Sequence, residues 1–157
     1  MKTSSLLTLA CLAALPLAAA AADNPFQAFH GKVKPGMYEY RMDMDMGAVP
    51  GMPPGMGKQS HTFTHCVTPE DIQRGEMGRN DRGRMPKDCD VKDFHMSGNT
   101  ATYKMVCTGE HTMSADNRIT FTGDGYDMDM AMEMNEGGRA MHMKQHMQAR
   151  YVGSCNK

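Results

Sequence analysis

Hydrophobic and polar positions alternate most regularly between Tyr126 and Tyr151. Met128, Met130, Met132 and Met134 take every second position, with Asp127, Asp129, Ala131 and Glu133 between them. Beyond Gly137-Gly138 the alternation resumes, with Met141, Met143 and Met147 set among Ala140, His142, Lys144 and His146. A period of two sends successive side chains to opposite faces of a strand, so the pattern predicts a hairpin with one thioether face and one charged face. Gly-Gly supplies the positive φ that a two-residue turn requires. Centred there, the turn sets Met134 opposite Met141, Met132 opposite Met143 and Met128 opposite Met147. The same register puts Glu133 beside His142 and Asp129 beside His146, so opposite charges meet across the other face.

The same period recurs along the chain. Gly36–Met46 is a predicted strand with Tyr38, Tyr40, Met42, Met44 and Met46 on one face. Gly47–Gly57 is a Pro/Gly loop that cannot continue a ladder. Lys58–Val67 resumes as a strand, with His61, Phe63, His65 and Val67 on one side. Thr68-Pro69-Glu70-Asp71 opens a short helix, Thr68 as N-cap, Pro69 first and Asp71 completing a capping-box spacing. That helix ends near Arg74-Gly75, and the polar run to Lys87 is a loop.

Asp88–Met96 and Thr100–Met113 are predicted strands about Gly98-Asn99, pairing Phe94 with Tyr103 and Met96 with Ala101. Ser114–Asn117 reads as the next turn, setting Met113 opposite Ile119 and His111 opposite Phe121. Gly123-Asp124 then pairs Phe121 with Tyr126 and Ile119 with Met128. These linked registers bring Tyr103, Met105, Met113, Ile119, Phe121 and Tyr126 onto the face that carries Met128–Met147. The expected fold is all-β: an antiparallel meander of six or seven strands forming a curved sheet or small open barrel, with one short helix.

Composition changes the picture in three ways. Met1-Lys2-Thr3, the apolar run Leu6–Ala18 and Ala20-Ala21-Ala22 have the layout of a secretory signal peptide. Residues 1–22 are therefore expected to be removed, leaving a leader over 23–35 and a single β-rich domain over 36–157. Cys11 follows Thr8-Leu9-Ala10, a poor lipobox, so the product is expected to be soluble. No later segment is apolar enough for a membrane helix, and a formal net charge of −1 offers no footprint for nucleic acid or anionic lipid.

Cys66, Cys89, Cys107 and Cys155 remain, an even number in an exported chain, so two disulfides are expected with three possible connectivities. From the strand parities, Cys107–Cys155 and Cys66–Cys89 are the favoured pairs. Cys89–Cys107 across one hairpin would need a bulge. Finally, no leucine follows residue 22, whereas the whole chain holds 19 methionines. Methionine must therefore supply much of the core.

Several pieces taken in order resemble a family of small exported bacterial proteins, domain-of-unknown-function family 3617. They are Lys34-Pro35-Gly36-Met37-Tyr38-Glu39, the Met/Pro/Gly loop, Cys66-Val67-Thr68-Pro69-Glu70 and Asp88-Cys89-Asp90-Val91. Ser97-Gly98-Asn99-Thr100, the methionine hairpin and Arg150-Tyr151-Val152-Gly153-Ser154-Cys155 complete the set. The resemblance runs from Gly31 to Cys155 and implies a Gram-negative, periplasmic protein. It carries over no catalytic residues. Methionine and histidine are denser here than the family pattern leads one to expect.

Two binding chemistries compete with simple packing. A meander has one apolar face that must be covered by its own curvature, a second layer or a guest. The ligand face would comprise Tyr103, Met105, Met113, Phe121 and Tyr126, together with Met128, Met130, Met132, Met134, Met141, Met143 and Met147. Its expected occupant is an apolar small molecule or an envelope protein, with no cofactor. The alternative is copper, as Cu(I), or Ag(I), held by thioether and imidazole. Strand geometry turns His142 and His146 away from Met141, Met143 and Met147, which leaves Met52, Met56, His61 and His65 as the metal candidates.

A purely structural envelope role is the third reading. The carboxylates Asp43/Asp45 and Asp127/Asp129/Glu133 repeat at strand spacing without a calcium-loop pattern. His61-x-x-x-His65 lacks the glutamate of a zinc-protease helix, and no nucleophile, base and orienting group can be assembled from spacing. The expectation is a non-catalytic protein.

Overall fold

The structure, a computed structural model, describes residues 24–47, 53, 57–78, 88–109, 112–136 and 139–155. Residues 1–22, the expected signal peptide, and the loop residues Met52 and Met56 lie outside them. Among the described residues, seven strands form one sheet: β1 Gly36–Asp45, β2 Lys58–Val67, β3 Cys89–Ser97, β4 Thr100–Cys107, β5 Thr112–Thr122, β6 Gly125–Glu136 and β7 Arg139–Gly153. Their order is β2-β1-β7-β6-β5-β4-β3 and every pairing is antiparallel. The sheet stays open, with β2 and β3 at its edges. From β3 to β7 each strand pairs with the next, a meander, and the β1–β2 hairpin joins it by laying β1 against β7.

The methionine hairpin has the register its alternation predicts: Met134 faces Met141, Met132 faces Met143, Met128 faces Met147, Glu133 faces His142 and Asp129 faces His146. The β5–β6 pairing follows the predicted turn as well, with Phe121 opposite Tyr126 and Ile119 opposite Met128.

Two registers differ from expectation. Ser114–Asn117 is not a turn but the middle of β5, and the chain reverses between Cys107 and Thr112 instead. Ile119 therefore faces Ala101 and Met113 faces Cys107. The tetrapeptide looks like a turn because Ala115 and Asn117 occupy inward positions where a larger apolar residue is usual. Asn117 is buried there, and its Nδ2 donates to the Ala115 carbonyl at 3.0 Å, which satisfies the amide locally.

In the β3–β4 pair, Met96 faces Ala101 as expected, but the register shifts between Lys92 and His95. Asp93 adopts φ 53, a left-handed conformation that aspartate tolerates, and the resulting bulge places Asp93 and Phe94 together against Tyr103.

These shifts overturn the expected disulfides. The bonds are Cys66–Cys155 and Cys89–Cys107. The Asp93 bulge reverses the parity of Cys89 and brings it directly opposite Cys107. The misplaced β4–β5 turn is the second cause. Its register carried Cys107 toward the Gly125 end of the sheet, where β7 finishes, whereas Cys107 lies at the opposite end, opposite Met113.

The two ends of the sheet differ in cover. One end carries the Gly98-Asn99 and Gly123-Asp124 turns, and onto its apolar face dock the helix α1 Pro69–Arg74 and a 3₁₀ turn, Pro25–Phe29. Phe26, Phe29, Val33, Ile72 and Met77 pack there on Tyr38, Tyr40, Ile119, Phe121, Tyr126 and Met147. Phe29 lies 5.0 Å from Phe121 and Phe26 5.6 Å from Tyr103, ring centre to ring centre, both edge-on.

Helix α1 starts where the sequence places it. The Thr68 hydroxyl accepts from the Asp71 N–H at 3.2 Å, and the Asp71 carboxylate accepts from the Thr68 N–H at 2.9 Å. Partial burial raises the Asp71 carboxyl, but the Thr68 backbone N–H, the Thr68 hydroxyl and Arg74 together outweigh it and hold the group below its ordinary range. At the other terminus Gly75 has φ 66, and a Cβ there would lie 2.7 Å from the Phe26 ring. One glycine thus closes the helix and admits the leader.

Candidate functional site

Cross-strand pairing resolves the apolar face into rows. From the covered end these read Ala149–Tyr126–Phe121, then Met147–Met128–Ile119–Ala101, then Gln145–Met130–Asn117–Tyr103. Two further rows lie toward the tip of the methionine hairpin: Met143–Met132–Ala115–Met105 and Met141–Met134–Met113–Cys107. All twelve residues of the expected ligand face share this side of the sheet. Their packing divides them.

Phe121, Tyr126 and Met147 are buried in the main core, and Tyr103 and Met128 pack against it. Met105 is buried with Cys107 and Ala115 in a second cluster, against which Met113, Met130 and Met132 pack. Met134, Met141 and Met143 belong to neither cluster. Met134 and Met143 are half-buried, and Met141 is 39% exposed. The open part of the face is therefore its tip end.

Met44 and Met46 extend this open part onto β1. Both are half-buried and outside the two clusters. Met44 faces Gln145, and the Asp45–Lys144 pair is one residue from both Met46 and Met143. Sequence reasoning placed these two on the apolar side of their strand but not beside the hairpin. No short turn links β1 to β7, so no local signal fixes that neighbourhood.

Of the expected metal set, His61 and His65 fall among the described residues. His61 and His65 lie on edge strand β2, opposite Met42 and Tyr38 respectively. Four residues apart in a strand, they are about 13 Å from each other and cannot share an ion. Met52 and Met56 fall outside the described residues. His142 and His146 do project to the other face, where their Nδ1 atoms meet Glu133 at 3.4 Å and Asp129 at 2.7 Å. No three His, Cys, Asp or Glu side chains among the described residues form a metal-binding group.

That other face carries a feature absent from the sequence reading. A trough of about 1000 Å³ crosses the whole sheet, from Lys58 and Ser60 on β2 to Asp93 on β3. Three adjacent cross-strand rows line it: Gln59–Met44–Gln145–Met130–Asn117–Tyr103 runs along the middle, and charge alternates along the two that flank it. One runs Ser60–Asp43–His146–Asp129–Arg118, the other Lys58–Asp45–Lys144–Ala131–Asp116–Lys104. Lys58 lies 3.9 Å from Asp45, and Lys104 lies 3.4 Å from Asp116. A hydrogen bond from the Ser60 hydroxyl, helped by Arg41, holds the Asp43 carboxyl below its ordinary range. Exposed pairs of this kind contribute little stability. With the signs matched, the trough presents neither a cationic nor an anionic site, and it reads as the solvated side of the sheet.

A family profile described as "Protein of unknown function (DUF3617)" matches residues 33–155. The chain belongs to this family. The DUF3617 match begins just before β1 and ends at Cys155, so it spans every strand and both disulfides, while the docked turn Pro25–Phe29 lies ahead of it. Family membership brings no activity and no site residue with it. No curated protein and no solved structure matches the chain. Among the described residues no helix is long and apolar enough to cross a membrane.

Proposed function

We propose that this protein is a non-catalytic binding protein of the bacterial envelope that receives a flexible apolar small molecule at the tip end of its methionine face. One observation carries the reading: Met134, Met141 and Met143 stand on the apolar side of the sheet yet pack into neither core cluster. An exported setting is compatible with the two disulfides. Size favours a small guest over a protein partner. The open strip spans β1, β7 and β6, two strand spacings or about 10 Å, and so covers a few hundred Å² at most. A stable protein interface takes roughly 800 Å² from each partner. Methionine suits such a guest, because its flexible, polarizable side chain adapts to varied shapes.

The test is an environment-sensitive apolar fluorophore added to the folded, disulfide-bonded protein. Wild type should enhance its emission, and Met134→Gln/Met141→Gln/Met143→Gln should abolish the enhancement while leaving the far-ultraviolet circular dichroism unchanged. Equal emission from the two proteins, or none from wild type, would remove the reading.

A further inference from the structure

We propose that Met134, Met141 and Met143 form a thioether site for a soft monovalent cation, Cu(I) or Ag(I). The site shares its open surface with the ligand strip proposed above, but it needs no apolar guest. Three observations support it.

The first is donor chemistry. Soft ions select sulfur, and thiolate is ordinarily the stronger competitor. Cys66, Cys89, Cys107 and Cys155 are all consumed in disulfides, so among the described residues thioether is the remaining soft donor. A cluster of neutral sulfurs leaves the charge of a divalent ion uncompensated, which favours monovalent Cu(I) or Ag(I) over Zn(II) or Cu(II).

The second is convergence. Met134 and Met141 are direct partners across β6–β7, and Met143 is two residues further along the same face. The Cα atoms of facing residues lie about 5 Å apart, and those of alternate residues in a strand about 7 Å apart. A methionine side chain has three rotatable bonds, so three sulfurs on such a triangle can reach a common point while the backbone stays in place.

The third is availability. Met105 and Met147 are 5% and 2% exposed and hold core positions, so they cannot turn outward without opening a cavity. Met134, Met141 and Met143 make no such commitment. The nearby imidazole of His142 faces the other way, toward Glu133, so the coordination set is thioether alone.

Replacement by leucine separates this proposal from the apolar-ligand reading, because leucine keeps the apolar volume and removes the sulfur. The full disulfide-bonded protein would be titrated anaerobically with Cu(I) against a colorimetric Cu(I) chelator. A second titration with Ag(I) would be followed through ¹³C-labelled methionine methyl resonances. Wild type should withdraw one equivalent of metal, with the methyls of Met134, Met141 and Met143 shifting and those of Met105 and Met147 unmoved. Met134→Leu/Met141→Leu/Met143→Leu should lose that equivalent yet bind the apolar fluorophore like wild type. No uptake by wild type, or undiminished uptake by the leucine variant, would overturn the site. Metal uptake without fluorophore binding would leave it standing and remove the apolar guest.

Discussion

Tyr126 and Tyr40 meet hydroxyl to hydroxyl at 3.1 Å, both fully buried, with the Tyr126 O–H donating. Burial, above all, pushes both phenols up from their ordinary range, and it raises Tyr38 in the same way. A raised folded pKa means the neutral phenol is the form the fold prefers. Its contribution is complete below the unfolded tyrosine value of about 10 and is lost as pH climbs through the higher folded values. In an alkaline titration followed by phenolate absorbance, Tyr38, Tyr40 and Tyr126 should ionise late and together with loss of structure. Tyr126→Phe should shrink that late step and lower stability by about 1 kcal/mol, the worth of one buried hydrogen bond. Ionisation of all five tyrosines at ordinary pH with the fold intact would contradict this. At this scale the sequence was deceptive at two places, Asp93 and Ser114–Asn117. A left-handed aspartate leaves no mark in a hydrophobic pattern. An inward asparagine that bonds the backbone carbonyl two residues back looks like a turn.

Among the elements, the β6–β7 hairpin was legible because its own turn sits at the centre of an unbroken alternation, so one assumption orders both faces. Helix α1 was legible because its cap chemistry is contained in four consecutive residues, Thr68–Asp71. The face itself survived the β4–β5 error. Moving that turn displaced partners along the strand by an even number of positions, which preserves which side each residue faces. Packing on that face was not legible, since nothing in the alternation separates Met141 from Met147. Mild peroxide makes the difference measurable. In the folded protein Met141 should oxidise first, followed by Met134 and Met143, while Met147 and Met105 persist until denaturation, as mapped by peptide mass spectrometry. Uniform oxidation along β6 and β7 would show that the tip and the core are equally accessible.

For the whole molecule, the two disulfides close loops of very different length. Cys66–Cys155 spans 89 residues and Cys89–Cys107 spans 18. Chain entropy alone assigns about 4–5 kcal/mol to the longer loop and about 3 kcal/mol to the shorter. Cys66→Ala/Cys155→Ala should therefore lower the denaturation midpoint more than Cys89→Ala/Cys107→Ala. The reverse order would mean that local geometry at the β3–β4 hairpin, and not loop length, decides. The connectivity could not be taken from spacing, because it depends on one bulge and one turn far apart in the chain.

The strand order has a consequence in time. β1 and β2 are the first strands to be made, yet the second neighbour of β1 is β7, the last. Until that neighbour arrives, β1 and β2 are a two-stranded ribbon, which is marginal in water by itself. A ribosome halted before Arg139 would hold the β1–β2 ribbon and the β3–β6 meander on one chain, with no strand to pair their facing rims. β7 acts as the keystone of this arch, and until it is made the first ribbon has no place in the sheet.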